Sequence, residues 1–251
     1  MRVLDCYLKY CLELKPNILG RLIRRTALND TPKTADAPRR KSGRPRGGAV
    51  DGREAILGKA IPAFSRLGYE AVNLRDLARE AGVNPALAIY HFGSKSDLWL
   101  AAVARLVEWM APRRRSLAEI AESGAPYRER LEDFYREYVR VNAEIPDYGL
   151  FILQEAVRPS ERQAVVRERL IMPSYLQTRP LLEEGMRLGV IPEQDPTLLF
   201  FMTIIPISNI FAGSSMVDPL LQLEARGEDL ISGVFEVVMR CLTGQSRAGG
   251  S

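Results

Sequence analysis

The chain has 251 residues, of which 46% are hydrophobic and 26% are charged. This length allows one or two domains, and the composition is that of a globular protein rather than of a disordered or collagen-like chain. Three cysteines and one histidine are too few for a disulfide framework or a Cys/His metal cluster. We therefore expect a cytoplasmic protein with no metal site and no cofactor.

The positive charge is concentrated at the start of the chain. Residues 1–50 carry a net charge of +8, whereas residues 51–251 carry a net charge of −4. A basic segment of this kind indicates contact with an anionic surface, such as nucleic acid or membrane. Residues 31–50 also contain three prolines and three glycines with almost no large apolar residue, so they cannot form a core.

Residues 1–30 mix apolar and charged residues and do not form a signal peptide. We interpret them as an extension outside the folded domain, such as one produced by a start codon assigned too far upstream. The alternative is a short amphipathic helix that docks on a partner. We predict a flexible basic extension over residues 1–50 and a flexible tail over residues 245–251.

Helical spacing of apolar residues begins at about residue 51. The first predicted helix ends at Gly68, and we expect a kink at Pro62 because proline removes a helical hydrogen bond. Asn73 can cap a second helix, which has Asp76 in its first turn. Gly82 then ends that helix, because glycine tolerates the positive φ of a helix C-terminus.

A third, short helix is predicted to begin with Asn84 as its cap and Pro85 in the first position, and to run to about His91. Ser94 and Asp97 have the spacing of a capping box and predict the start of a long fourth helix. The remaining chain shows further helical segments separated by turn signals at residues 123–126, 145–147, 158–160, 189 and 195–196, with no alternating strand pattern. We therefore predict an all-α protein.

Helices two and three form a helix-turn-helix, a unit whose second helix can lie in the DNA major groove. Its amino-acid sequence resembles that of the N-terminal domain of the TetR family of bacterial transcription regulators. The resemblance lies in Gly68-Tyr69, Leu77-Ala78, Ala81-Gly82-Val83, Tyr90-His91-Phe92 and Ser94-Lys95. It implies a DNA-binding domain over residues 51–111 and a helical domain for ligand binding and dimerisation over residues 112–244, joined by the long fourth helix.

The resemblance also implies which residues contact DNA: Asn73, Arg75, Pro85, Ala86, Ile89, Tyr90, His91 and Lys95. Tyr90 is expected to reach phosphate, and Lys95 offers a phosphate site together with a helix N-terminus. Asn73 can also serve as a plain helix cap, and His91 can equally be a packing residue between helices three and four. We expect Leu87 and Phe92 to pack inward.

A basic arm precedes this domain and contains Arg39, Arg40, Lys41, Arg44 and Arg46. Residues 51–100 have six basic and six acidic side chains, so they alone offer no net charge to neutralise phosphates. Gly43-Arg44-Pro45-Arg46 resembles the AT-hook core, which fits narrow A·T-rich minor grooves. We predict a minor-groove arm, the alternative being a flexible leader that contacts nothing.

Residues 196–217 contain no charged residue and are long enough to cross a bilayer. Pro206, Ser208 and Asn209 within them, and acidic rather than basic flanks, argue against a membrane span. The family resemblance places a dimer interface in the last two helices. We therefore expect residues 196–217 and the helix around residues 230–242 to form a homodimer interface, with no membrane partner.

A ligand pocket is expected between the central helices, lined by large apolar and aromatic groups. The candidates are Phe134, Tyr138, Phe151, Met172, Tyr175, Met186 and Phe201, although each is a typical core residue when taken singly. The inducer is expected to be a small apolar or aromatic molecule.

The leading hypothesis is a dimeric, ligand-responsive regulator, most simply a repressor that binds a double-stranded DNA operator. The alternative is an architectural, nucleoid-type protein that uses the basic arm on A·T-rich DNA. An enzyme on a helical scaffold is disfavoured, because the single histidine lies in the recognition helix and no catalytic constellation stands out, so we assign no catalytic residues.

Overall fold

The computed structural model describes residues 52–156, 159–213 and 227–244. All regular secondary structure in these ranges is helical, which confirms the all-α prediction. The basic arm, residues 1–30, the end of the uncharged stretch after residue 213 and the tail from residue 245 lie outside the described residues.

The helices follow one another with short connections. In chain order they are α1 (Gly52–Ala71), α2 (Leu74–Glu80), α3 (Pro85–Phe92), α4 (Lys95–Ala121), α5 (Tyr127–Glu144), α6 (Pro146–Ala156), α7 (Glu161–Val166), α8 (Met172–Arg187), α9 (Pro196–Ala212) and α10 (Glu228–Thr243), with a π-helical turn, Arg167–Ile171, between α7 and α8. The breaks after α4, α5 and α8 fall at or beside the predicted turns. We call α1 to α3 the head and α5 to α10 the body.

The three predicted helix caps in and after the head are present. The side-chain oxygen of Asn73 accepts a hydrogen bond from the backbone N–H of Arg75 at 2.9 Å, and that of Asn84 accepts one from Ala86 at 2.9 Å. Ser94 Oγ accepts from the N–H of Asp97 at 3.1 Å and donates to its carboxylate at 2.8 Å. Each cap satisfies a backbone donor that the helix leaves unpaired.

Helix α1 is interrupted at Gly68 and not at Pro62. Gly68 has φ 77° and ψ 166°, the only non-helical backbone recorded within α1. This positive φ is accessible to glycine at little cost. Our prediction that the first helix stops at Gly68 is therefore confirmed, whereas the kink expected at Pro62 does not appear in the dihedral angles.

The core consists of two clusters of buried residues. One joins the inner faces of the head and the first half of α4 to the body, where Phe151 of α6 stacks on Trp99 of α4 with 5.7 Å between ring centroids. The other lies within the body and includes Phe134, Leu182 and Phe200. The boundary that we predicted at residues 111–112 lies inside α4, so this continuous helix connects head and body.

No helix in the described ranges is long and apolar enough to cross a membrane. The described part of the uncharged stretch, α9, packs instead against α6 and α5. Ser208 Oγ donates to Asn142 Oδ1 of α5 at 2.6 Å, and Tyr135 of α5 and Thr203 share a hydrogen bond of 3.3 Å. These buried polar side chains are paired, as polar groups in a protein interior must be.

Candidate nucleic-acid interface and ligand cavity

The outer face of α3 exposes large apolar side chains. Tyr90 is 77% exposed and Ile89 is 44% exposed, and both lie on a helix of eight residues. Ala88 and Phe92, four residues apart, form the buried face of the same helix and hold it on the core. Exposed apolar groups grouped in this way mark a binding surface rather than a folding requirement.

The connection between α2 and α3 has the expected geometry of a helix-turn-helix. Gly82 has φ 69°, and Val83 N–H donates back to Ala78 O at 2.8 Å. Pro85 occupies the start of α3, where its missing N–H costs nothing. Leu77 and Ala78 are the buried residues of α2, as Ala88 and Phe92 are of α3.

Two of the predicted inward-facing residues differ in their placement. Phe92 is buried as expected, and Arg53 lies over its ring with 5.6 Å to the centroid. Leu87 is 38% exposed, so the prediction that it packs inward is wrong. The inward position belongs to Ala88, and Leu87, one residue earlier, is turned to the side of α3 that faces Gly52.

The predicted DNA contacts at the helix starts have different surroundings. Ala86 and Arg75 are exposed, and Asn73 is exposed while it caps α2, so both of its predicted roles remain compatible. Pro85 is half-buried. His91 is also half-buried and makes edge contacts with Tyr90 and Phe92, at 5.5 Å and 6.3 Å between ring centroids.

Lys95 has a structural role that the sequence did not reveal. Its ammonium group donates to the backbone carbonyls of Tyr69 at 3.0 Å and Glu70 at 3.2 Å. The same nitrogen lies 4.5 Å from the centroid of the Tyr69 ring, within the range of a cation–π contact. Lys95 therefore binds the first residue of α4 to the end of α1.

The body contains an apolar cavity of about 380 Å³, within the size range of small-molecule sites. It lies between the end of α6, α7, the π-helical turn, and the starts of α8 and α9. π-helical insertions of this kind are frequently found at functional sites. The residues that line it are Ile152, Glu155, Ala156, Gln163, Val166, Arg167, Ile171, Met172, Tyr175, Thr197 and Phe201.

The structure brings together three of the seven candidate pocket residues: Met172, Tyr175 and Phe201 line the cavity. The other four are not among its lining residues. Phe134 and Tyr138 are buried in the body core and Phe151 in the shared core, and Met186 packs against the body core.

Several polar side chains of the cavity wall have specific hydrogen-bond partners. Tyr175 and Thr197 share a hydrogen bond of 2.8 Å between their hydroxyl groups. Glu155, which is only 6% exposed, accepts hydrogen bonds from Arg162 Nε at 3.2 Å to each carboxylate oxygen. Sequence reasoning missed Glu155, because an isolated glutamate on a helix carries no local signal of burial.

Comparisons with known proteins agree with this architecture. Residues 56–102 match the model described as bacterial regulatory proteins, tetR family. The chain is 29% identical over 194 residues to the HTH-type transcriptional regulator RutR of Escherichia coli O157:H7, covering 76% of this chain and 88% of that protein. Residues 56–102 therefore form a DNA-binding domain of the TetR type.

Two solved structures share the TetR-type fold with this chain. The hemolysin II transcriptional regulator HlyIIR is 24% identical with a TM-score of 0.54, covering 76% of this chain and 97% of its own. The ketosteroid transcriptional regulator KstR2 of Mycobacterium tuberculosis is 18% identical with a TM-score of 0.59, covering 78% and 97%. At these identities the likeness concerns the fold alone.

The family match begins within α1 and ends within the first part of α4. It therefore includes both helices of the helix-turn-helix and the capping box of α4. The prediction that this chain is a TetR-family helix-turn-helix regulator, made on the residues between Gly68 and Lys95, is confirmed.

Proposed function

We propose that this TetR-family regulator is a dimeric repressor that is released from a palindromic operator by a small apolar molecule. The observation that carries the DNA-binding part is the exposure of Ile89 and Tyr90 on α3, beside a core that holds the helix in place through Ala88 and Phe92. An α-helix with an exposed face of this kind fits the major groove. Such a regulator acts in the cytoplasm, where bacterial DNA lies.

The proposed DNA contacts are those of the helix-turn-helix and of the start of α4: Asn73, Arg75, Pro85, Ala86, Ile89, Tyr90, His91 and Lys95. For Lys95 we propose that phosphate binds the N-terminus of α4, because its ammonium group already donates to Tyr69 and Glu70. Arg75 extends from the first turn of α2, where it can reach the DNA backbone.

The basic arm is proposed to supply the phosphate neutralisation that the head lacks. Arg39, Arg40, Lys41, Arg44 and Arg46 all lie outside the described residues, so the proposal rests on their sequence. In the head, Arg79 pairs with Asp76 at 2.5 Å, which reduces the positive charge available there. A protein whose DNA-binding head has almost no net charge needs basic residues from another part of the chain to bind DNA tightly.

The dimer is proposed to form through α9 and α10. Leu198 and Met202 of α9 are 67% and 73% exposed, and Val237 of α10 is 56% exposed. These apolar side chains are exposed in the part of the chain that the structure describes, whereas the opposite faces of both helices are buried in the body core. A helix that is apolar on both faces is stabilised when a second subunit covers the outer face.

The cavity between α6 and α9 is the proposed effector site. Its walls are mostly apolar, and the Tyr175 and Thr197 hydroxyl groups in them are paired with each other, so the cavity suits the apolar or aromatic body of a small molecule. Met172, Tyr175 and Phe201 are the proposed contacts, and Met172 lies next to the π-helical turn. We assign no catalytic role to any residue.

Selection from random DNA fragments tests the DNA-binding proposal. A two-fold dimer presents its two recognition helices about 34–36 Å apart, so the retained fragments should share a palindrome with half-sites one helical turn apart. Recovery of A·T-rich fragments without a common palindrome would instead indicate an architectural protein that binds through its arm.

A further inference from the structure

Arg162 lies between the cavity and the head and contacts both. Its Nε is 3.2 Å from each oxygen of Glu155, the buried carboxylate in the cavity wall. Its guanidinium carbon lies 3.8 Å from the centroid of the Tyr69 ring, and its Nη2 is 3.5 Å from Glu70 Oε1. One side chain of the body therefore holds both a wall of the cavity and the end of α1.

Tyr69 is in turn in contact with the first residue of α4. The Lys95 ammonium lies 4.5 Å from the centroid of the Tyr69 ring and donates to the backbone carbonyl of the same residue. Lys95 follows α3 by only three residues, with Ser94 as the cap between them. Two cationic side chains therefore contact the Tyr69 ring: Arg162 from the body and Lys95 from α4, the helix that directly follows α3.

Glu155 is the member of this series that a ligand can reach. It lines the cavity and is 6% exposed, and a carboxylate removed from water must keep hydrogen-bond partners. A carboxylate has about four acceptor positions, so a ligand donor can bind it as well as Arg162. Such a donor competes with Arg162 and weakens the contact that holds Arg162 in place over Tyr69.

We propose that Glu155, Arg162 and Tyr69 form a relay through which the occupied cavity changes the position of Lys95 and hence of α3. This inference rests on the proposed function of the cavity and of the head. It also defines the effector class: an apolar or aromatic body that carries an N–H or O–H donor directed at Glu155. A ligand without that donor has no means of acting on this contact differently in two states of the head, and so shifts no equilibrium through it.

Amide hydrogen exchange of the full chain, without DNA or ligand, tests the relay. The variants are Arg162→Met, which keeps a long apolar side chain, Glu155→Gln, which keeps the shape of the carboxylate, and the double variant. We expect amide exchange at residues 69–75 and 93–98 to become about three- to tenfold faster in each single variant. A change of this size corresponds to the loss of one cation–π contact. The double variant should be no faster than the faster single one, because both changes break the same relay.

The matched control is Arg179→Met in α8. Arg179 also pairs with a glutamate, Glu183 at 2.6 Å, and lies over a tyrosine ring, that of Tyr175 at 6.0 Å. Its ion pair and ring contact both lie within α8, so head exchange should stay unchanged. Faster exchange after Arg162→Met alone, additive effects in the double variant, or an equal rise throughout α5 would each overturn the relay.

The donor requirement is tested with 2-naphthol and 2-methoxynaphthalene, which share a ring system but differ in the O–H group. We expect 2-naphthol to bind the unaltered protein about tenfold more tightly, and this advantage to shrink in Glu155→Gln, because hydrogen bonds to a charged acceptor are the stronger ones. Equal affinity of the two probes would overturn the donor requirement. Neither experiment contains DNA, so a failure of operator binding is distinguishable from a failure of the relay.

Discussion

Gly149 of α6 lies directly against Ser208 of α9. A Cβ atom built on Gly149 would stand 2.8 Å from Ser208 Cβ and 3.0 Å from Ser208 O, closer than side-chain atoms pack. Ser208 is fixed on its other side by the hydrogen bond to Asn142. The absence of a side chain at residue 149 therefore sets how closely the proposed dimer helix approaches the helix that carries the cavity wall.

We predict that Gly149→Ala destabilises the protein by about 1–3 kcal/mol, because the extra methyl group must push α6 and α9 apart. The matched control is Gly58→Ala in α1, where, among the described residues, no atom beyond the neighbouring backbone of α1 itself lies within 4 Å of the new Cβ. That variant should be neutral or more stable by about 0.5–1 kcal/mol, since alanine is the better helix former. Denaturant unfolding measures both. Equal effects of the two changes would contradict the close approach.

Tyr90→Ala should weaken operator binding by about 10- to 100-fold, the effect of losing one well-placed contact in a protein–DNA interface. The fold should be unaffected, because Tyr90 is 77% exposed. Leu188→Ala, at a 54% exposed leucine beyond α8, is the matched control and should bind normally. Fluorescence anisotropy on the selected operator gives the affinities. A Tyr90→Ala variant with full affinity would remove this residue from the proposed interface.

Changing Arg44 and Arg46 together to Ala should weaken DNA binding and flatten its salt dependence. Each lost phosphate contact reduces the slope of log K against log salt by about 0.9, so two contacts give about 1.8. Arg24 and Arg25, changed together to Ala, form the control pair outside the arm. If the slope stayed the same in the Arg44 and Arg46 variant, the arm would be a leader that does not touch DNA.

Met202→Asp and Val237→Asp should convert the dimer into monomers, because each places a charge on the exposed apolar face of α9 or α10. Helical content should be retained, since neither side chain is part of the buried core. Leu67→Asp, at a 63% exposed residue of α1, provides the control and should leave the assembly unchanged. Sedimentation velocity distinguishes the species. Dimers that persist in both α9 and α10 variants would mean that the subunits meet elsewhere.

Alkaline pH should destabilise the body. Burial raises the pKa of Tyr127, Tyr135, Tyr138 and Tyr148 above the usual value of about 10. Above pH 10 the unfolded chain releases phenolic protons that the native state retains, so stability that is complete below pH 10 is lost as the pH rises, by about 1.4 kcal/mol per pH unit for each group. Unfolding measured from pH 9 to 11 should show a shallower decline for Tyr135→Phe than for the unaltered protein. An identical decline would place the effect on other groups.

Local sequence determined the head, since each of its boundaries depends on neighbouring residues. Asn73, Asn84 and Ser94 cap their own helices, and Gly68 breaks α1 because its backbone adopts a positive φ. The one expectation that failed on a helix face was Leu87, for which the pattern of apolar residues did not distinguish an inward leucine from a buried alanine beside it. The sequence motifs that resemble the TetR family lie in this same short segment.

Only the tertiary structure decided where the cavity and its contacts with the head lie. Periodicity marked Phe134, Phe151 and Met172 alike as apolar, but which of them packs in a core and which lines a space depends on the helix opposite. Glu155 and Arg162 are ordinary charged residues in the sequence, yet burial of one and stacking of the other on Tyr69 make them partners. Such contacts join residues far apart in the chain, so no local pattern records them.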